Sequence, residues 1–183
     1  MKRTGLYTQS GHLGDGELYL NGKKTSNTNI YIGIDPGNKS GGMAVISEGL
    51  NSPLIIRFKE STNVDLFCTI SKYSANKLPT WLSPCAMIEK VHSFPGQGVV
   101  SSFNFGENYG MLQGFLIALK IPFKFVLPSK WQRHYGLHKD KNESQTEWKR
   151  RLRQRAQELY PNIKITAETA DAILIANYCK ENY

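Results

Sequence analysis

The sequence has little from which to build a disulfide scaffold or a zinc site. Its three cysteines, Cys68, Cys85 and Cys179, are odd in number, widely spaced and contain no Cys-x-x-Cys pair, so ordinary reduced thiols are expected. Long apolar runs are also missing. None reaches the length of a membrane span, and the first residues lack the apolar core of a secretory signal, so the expectation is a soluble intracellular protein with no membrane partner. Acid is scarce: 15 Asp and Glu face 23 Lys and Arg, and the formal charge of +8 favours a polyanionic partner.

What is present suffices for one domain, since apolar residues make up 40% of 183 and can fill a single core. The positive charge is concentrated in residues 121–164, where eleven Lys or Arg stand against four acids. A solvated helix face would account for part of that excess. Arg150, Arg151, Arg153 and Arg155 spread around a helix and cannot all share one contact.

Residues 1–29 are rich in Gly, Ser, Thr, Asn and Lys and read as a flexible or partner-ordered extension, with residues 30–183 forming the folded domain. Within the extension, Glu17 to Leu20 followed by Asn21-Gly22 suits a small hairpin. Ile30 to Asp35 is a buried-strand pattern stopped by Pro36-Gly37. Met43 to Ser47 and Leu54 to Phe58 are further short strands, and their brief connections predict an antiparallel meander. A helix over 62–74 follows, then a strand over Cys85 to Val91 and a helix over 104–120. A strand over Pro122 to Leu127 comes next, then a short helix from Pro128 to His134. Ser144 and Glu147 form a capping-box pattern for the next helix, and a last one runs from about Thr169 to Cys179. This order predicts an α/β sheet under helical cover, with the later strands parallel to the first.

On the 104–120 helix, Gly106, Gly110 and Gly114 recur at intervals of four. Each costs roughly 1 kcal/mol relative to Ala, so close packing inside the molecule or against a second copy is the expected compensation.

Four carboxylates fall where this order brings chain segments together. Asp35 ends the first strand and Glu89 nearly ends the fourth, so neighbouring strands would place both at one end of the sheet. Glu168 and Asp171 share one side at the start of the last helix. Turn capping, a lysine partner or a helix amino terminus would explain the first three singly. Asp171 resists such an account because Ala172 to Ala176 continues as a buried apolar helix. Clustered carboxylates repel unless cations intervene, and Mg2+, with Mn2+ as a substitute, supplies the hard charge that oxygen ligands need. A pair of ions would share one phosphate, with Asp35 bridging them, Glu89 on one and Glu168 with Asp171 on the other.

Ile32-Gly33-Ile34-Asp35-Pro36-Gly37, Ile88-Glu89-Lys90-Val91 and Glu168-Thr169-Ala170-Asp171-Ala172, in that order, resemble the RuvC family of Holliday-junction resolvases within the ribonuclease H-like superfamily. The likeness spans about residues 30–180, and Pro128-Ser129-Lys130-Trp131 looks closer to compact phage-type or organellar members. It implies a five-stranded mixed sheet with helices on both faces, and Asp35, Glu89 and Asp171 as metal ligands. Glu168 stands where familiar bacterial members have Asp or His. The resemblance further implies a homodimer, paired through the helix of Gly106, Gly110 and Gly114, that nicks opposed strands of a four-way DNA junction and leaves 5′-phosphate and 3′-hydroxyl ends. Phe94, with Phe103 behind it, is the choice for an aromatic at the junction centre, although Phe103 suits core anchoring equally well. Lys90, Lys130, Arg133, Lys139 and Lys141 are the expected phosphate contacts. The family places the chain in the cytoplasm of a prokaryotic cell or phage-infected host, with an organellar nucleoid as alternative, and leaves any branch-migration helicase partner unidentified.

Three other readings compete. Asp35-Pro36-Gly37 with Gly41-Gly42 is faintly similar to the phosphate loop of actin-like ATPases, but 183 residues leave little room for their second half. A ribonuclease H-like nuclease for flaps, forks or RNA-containing hybrids would use the same carboxylates. A non-catalytic nucleic-acid-binding protein would use the basic surface alone.

Overall fold

The computed structural model describes residues 18–20, 23–25 and 29–183, apart from 38–39, 48–49, 75, 79–81, 93–95 and 97. Near the start, β1 (Leu18–Leu20) pairs antiparallel with β2 (Lys23–Thr25), and the Leu20↔Lys23 register leaves the two-residue connection that Asn-Gly suggests. Of the rest of the segment 1–29 expected to be a flexible extension, Asn29 opens the first strand of the main sheet, and the remaining residues lie outside the described ones.

A five-stranded mixed sheet in the order β5-β4-β3-β6-β7 forms the centre. Strands β3 (Asn29–Asp35), β4 (Gly42–Ser47) and β5 (Leu54–Arg57) make the antiparallel meander, while β6 (Ser83–Glu89) and β7 (Phe123–Val126) add in parallel on the other side of β3. Helix α1 (Asn63–Ile70), started by a Thr62–Asp65 capping box and extended by a 3-10 turn at Ser71–Tyr73, lies in the first crossover. Helix α2 (Val99–Ala118) lies in the second. Helices α3 (Pro128–His134), α4 (Gln145–Leu159) and α5 (Ala167–Asn182) complete the chain. The expected capping box at Ser144 and Glu147 is formed.

The period-two alternation of strand side chains divides the core into two layers. Ile30, Ile32 and Ile34 of β3 join Ala86, Ile88, Leu66, Ile70, Leu112 and Leu116 on the α1–α2 face. The opposite face gathers Cys85, Met87 and Val126 with Trp131, Trp148, Leu152 and the buried length of α5. Helices therefore cover both faces. Helix α5 is buried from Thr169 to Asn177 because it is wedged between the sheet and α4, as a helix apolar on all sides must be. Among the described residues no helix is long and apolar enough to cross a membrane.

Helix α2 differs from its expected form. It begins at Val99, five residues early, and buries only Leu112 and Leu116. At 100° per residue, Val99, Phe103, Gly106, Gly110, Gly114 and Ile117 fall on one narrow stripe, and all six are exposed. A Cβ added at any of the three glycines would meet none of the described residues within 4 Å. Intramolecular packing therefore does not compensate for these glycines, and Phe103, at 71% exposure, is not a core anchor.

Candidate active site

Asp35 and Glu89 terminate adjacent parallel strands. The register places Ile34 beside Ile88, and the same offset brings Glu89 alongside Asp35. By alternation both point to the α5 face, where α5 presents Asp171. Gly33 permits this approach. Its missing side chain leaves room for the α5 backbone, since a Cβ there would stand 2.2 Å from the Ala176 nitrogen and 2.3 Å from the Ala172 oxygen.

Asp35 and Asp171 are 8% and 6% exposed, so both carboxylates have lost most of their hydration. Burial, then repulsion from Asp171, raises the Asp35 pKa to about 7. Burial, then repulsion from Asp35 and Asp171, raises that of Glu89 to about 8. Burial also pushes Asp171 up, while the Lys149 ammonium works in the opposite direction. The three sequence-predicted ligands Asp35, Glu89 and Asp171 thus form one electrostatic unit.

Each is held differently. The Gly37 N–H donates to Asp35 Oδ1 at 3.2 Å, using the turn that stops β3. Trp131, fully buried on α3, donates its indole Nε1–H to Glu89 Oε1 at 2.9 Å. Lys149 of α4 donates to Asp171 Oδ2 at 2.5 Å, whereas Asp171 Oδ1 is buried and receives no hydrogen bond from any described residue. Glu168, one turn before Asp171, lies at the margin and pairs with Lys59 at 2.5 Å. The structure therefore brings three of the four expected carboxylates close enough to act on one another's charge and puts the fourth in a separate ion pair.

Sequence reasoning did not single out Lys149 or Trp131 for the site. In the sequence Lys149 belongs to the basic run and Trp131 to a short helix. The signal for Lys149 was its place beside the Trp148–Leu152–Ala156 stripe, which turns it toward α5 rather than outward.

The donors fit a hard divalent cation. All are carboxylate oxygens, Asp35 and Asp171 are buried, and Asp171 Oδ1 has no hydrogen-bond partner among the described residues. With the side chains as they stand, no group of three His, Cys, Asp or Glu among the described residues is arranged to hold a metal ion.

Two results should follow from this geometry without added metal. Trp131→Phe removes the indole donor to Glu89 and should lower stability by about 1–3 kcal/mol. An unchanged urea midpoint would show that this hydrogen bond carries no weight. Metal-free stability should also fall with rising pH. Asp35 and Glu89 have folded pKa values above the unfolded carboxyl range, so the native protein retains protons that the unfolded chain releases. Their contribution is full below that range and is lost as pH rises through about 8. Asp65 and Glu147 are shifted downward, and their opposite contribution is complete below this window. Thermal melts in chelator should give a Tm on the order of 5 °C lower at the alkaline end of the window. A Tm that rises with pH would contradict the assignment.

Lys90, Lys130, Arg133, Lys139 and Lys141 are all exposed, and Lys139 also donates to Gln145. Phe94 lies outside the described residues. The arginine run divides as its helical spacing requires. Arg151 binds Glu143 and the His138 carbonyl, and Arg155 pairs with Glu158. Arg150 and Arg153 instead line an open hollow with Gln145, Thr146, Lys149 and Ala167. That hollow places exposed positive charge next to the Lys149 end of the carboxylate group.

No protein-family model and no curated protein sequence matches the chain. Among solved structures the chain is similar to T. thermophilus RuvC in complex with Holliday junction substrate. That match has a TM-score of 0.54 and 13% identity, and it covers 80% of this chain and 90% of that one. A structure of Thermus thermophilus RuvC is also similar, at 0.48 and 15% with the same coverage. The likeness is one of fold, and it agrees with the ribonuclease H-like α/β architecture described above.

Proposed function

We propose that this chain is a magnesium-dependent endonuclease that resolves four-way DNA junctions as a homodimer, by paired symmetric nicks that leave 5′-phosphate and 3′-hydroxyl ends. The observation that carries the proposal is the trio of carboxylates, of which Asp35 and Asp171 are buried and Glu89 partly so. Asp35 and Glu89 close adjacent strands opposite Asp171, whose second oxygen has no partner among the described residues. Such a group is unstable without a cation, and a structure of this fold was solved with a Holliday junction.

In this reading Asp35, Glu89 and Asp171 hold the metal, with Glu168 supplying a further oxygen from the margin. Bound Mg2+ contributes Lewis-acid stabilisation of the phosphodiester and lowers the pKa of the attacking water. The protein's own part is orientation. Gly37 fixes one oxygen of Asp35, Trp131 fixes one of Glu89, and α5 delivers Asp171 against Gly33. Lys90, Lys130, Arg133, Lys139 and Lys141 contact phosphates on the path to the site, Arg150 and Arg153 line the hollow beside it, and Phe94 serves as the wedge at the junction centre.

The bare stripe of α2 supports the second copy. Val99, Phe103 and Ile117 flank Gly106, Gly110 and Gly114 on an open face where a partner backbone can come close. The same helix braces both catalytic strand ends, since Asn108 donates to the Pro36 carbonyl and Tyr109 hydrogen-bonds the Val91 backbone. Pairing through α2 would set two sites at a fixed separation, which two opposed nicks require.

Labelled four-way, three-way, flap and linear duplex substrates, each with and without Mg2+, test the proposal. Paired symmetric nicks confined to the four-way junction and dependent on Mg2+ are expected. Equal cutting of linear duplex or of flaps would replace the resolvase by a general ribonuclease H-like nuclease, and cutting in chelator would remove the metal from the reading.

A further inference from the structure

We infer that Lys149, seconded by Lys59, is the built-in counter-cation of the metal-free site and gives up its carboxylate when a divalent ion is bound. The inference rests on the proposed metal-dependent function. Both acids that α5 brings to the site are occupied by a lysine ammonium from another element: Asp171 by Lys149 of α4, and Glu168 by Lys59 from the turn after β5. Lys149 pairs directly with Asp171, and Asp35 and Glu89 also act on its charge. It satisfies only one oxygen of Asp171 and leaves the other orphaned, so it compensates the charge without completing the coordination of the group.

An ammonium offers one positive charge and short, directional hydrogen bonds, whereas a divalent ion offers two charges and takes several oxygens at once. An ion held by the orphaned Oδ1 would stand close to the Lys149 ammonium on Oδ2, and the two positive charges would repel. Lys149 is about one-third exposed at the side chain and stands at the rim of the hollow lined by Arg150 and Arg153, so its flexible stem has solvent to move into. Lys59, at 43%, has still more freedom. Lysine occupancy accounts for a site whose donors suit a metal while no three of its described side chains stand arranged to hold one. It also explains how Asp35, Glu89 and Asp171 fold together before any metal arrives.

The test uses the wild-type full chain. Lysines are acetylated with an amine-reactive acetyl ester in chelator and in saturating Mg2+, and the rate at each lysine is read by mass spectrometry. Binding of Mn2+ to the same protein and to Asp35→Asn is followed by electron paramagnetic resonance. Acetylation of Lys149 should rise severalfold with Mg2+, that of Lys59 should rise less, and the exposed Lys120 and Lys180 should not respond. In Asp35→Asn the response of Lys149 should disappear. As a second arm, Lys149→Gln should bind Mn2+ on the order of tenfold more tightly, because a charge-assisted hydrogen bond no longer competes. If wild-type protein binds Mn2+ through Asp35 but the reactivity of Lys149 does not change, or if Lys149→Gln binds no more tightly, the inference fails and the nuclease proposal stands. If neither protein binds Mn2+ through these carboxylates, both fail.

Discussion

Asp35→Asn should reduce junction cleavage by about a thousandfold or more, the equivalent of ~4 kcal/mol of transition-state stabilisation, while leaving junction affinity nearly unchanged. Asp35 ends the central strand of the sheet, interacts with both other carboxylates, and is fixed by the Gly37 N–H. Asn keeps the size and the acceptor oxygen but removes the charge. The same change relieves repulsion among buried acids, so in chelator the variant should melt higher than wild type. Loss of cutting with gained stability separates a chemical role from misfolding. Gel-shift, cleavage and melting measurements on one preparation suffice. Cleavage at wild-type rates by a folded Asp35→Asn protein would remove these carboxylates from the reaction and leave a binding protein as the better reading.

Gly33→Ala should cost at least ~3 kcal/mol and lower Tm by roughly 10 °C, measured by urea and thermal unfolding. The added methyl would overlap the Ala176 nitrogen and α-carbon and the Ala172 oxygen, all backbone atoms of α5 with no rotamer to change. Relief requires α5 to lift from the sheet, and that withdraws Asp171 from Asp35. The same substitution at Gly110 should have the opposite sign within one subunit. None of the described residues lies within 4 Å of the new methyl there, and helix propensity adds up to about 1 kcal/mol. Its cost should appear only as weaker self-association, measured by light scattering at several concentrations. Equal stability losses at the two positions would contradict the contrast between a packed and an open glycine.

Most of the fold was legible because its signals are local. Ile30 to Asp35 alternates and then meets Pro36-Gly37, so β3 and its end could be placed within a residue. Ser144 and Glu147 marked the start of α4 through side chains three positions apart. The short links between the first three strands allowed only an antiparallel meander. Asp35 and Glu89 were legible as a pair because both end strands, and Asp171 because an acid inside an apolar helix needs a reason. The early start of α2 was not legible, since Val99 to Phe103 is exposed and has no buried periodicity to mark it. Nor was the partner of Glu168. Lys59 is distant in sequence, and its approach depends on how the turn after β5 meets the start of α5. Lys149 was hidden for a similar reason. One charge within a basic run reads as solvated until the helix packs and turns it inward.

The parallel pairing of β3 with β6 also bears on how the protein comes into being. It sets residue 29 beside residue 83, with α1 in the crossover between them, so the loop entropy must be overcome before the strands gain from pairing. Asp171 arrives later still, on the last helix. A chain emerging from the ribosome therefore carries Asp35 long before Glu89, and both before the helix that completes the trio. No partly made or partly folded chain has the assembled site, and contact order itself delays its formation until the sheet has closed and α5 has docked.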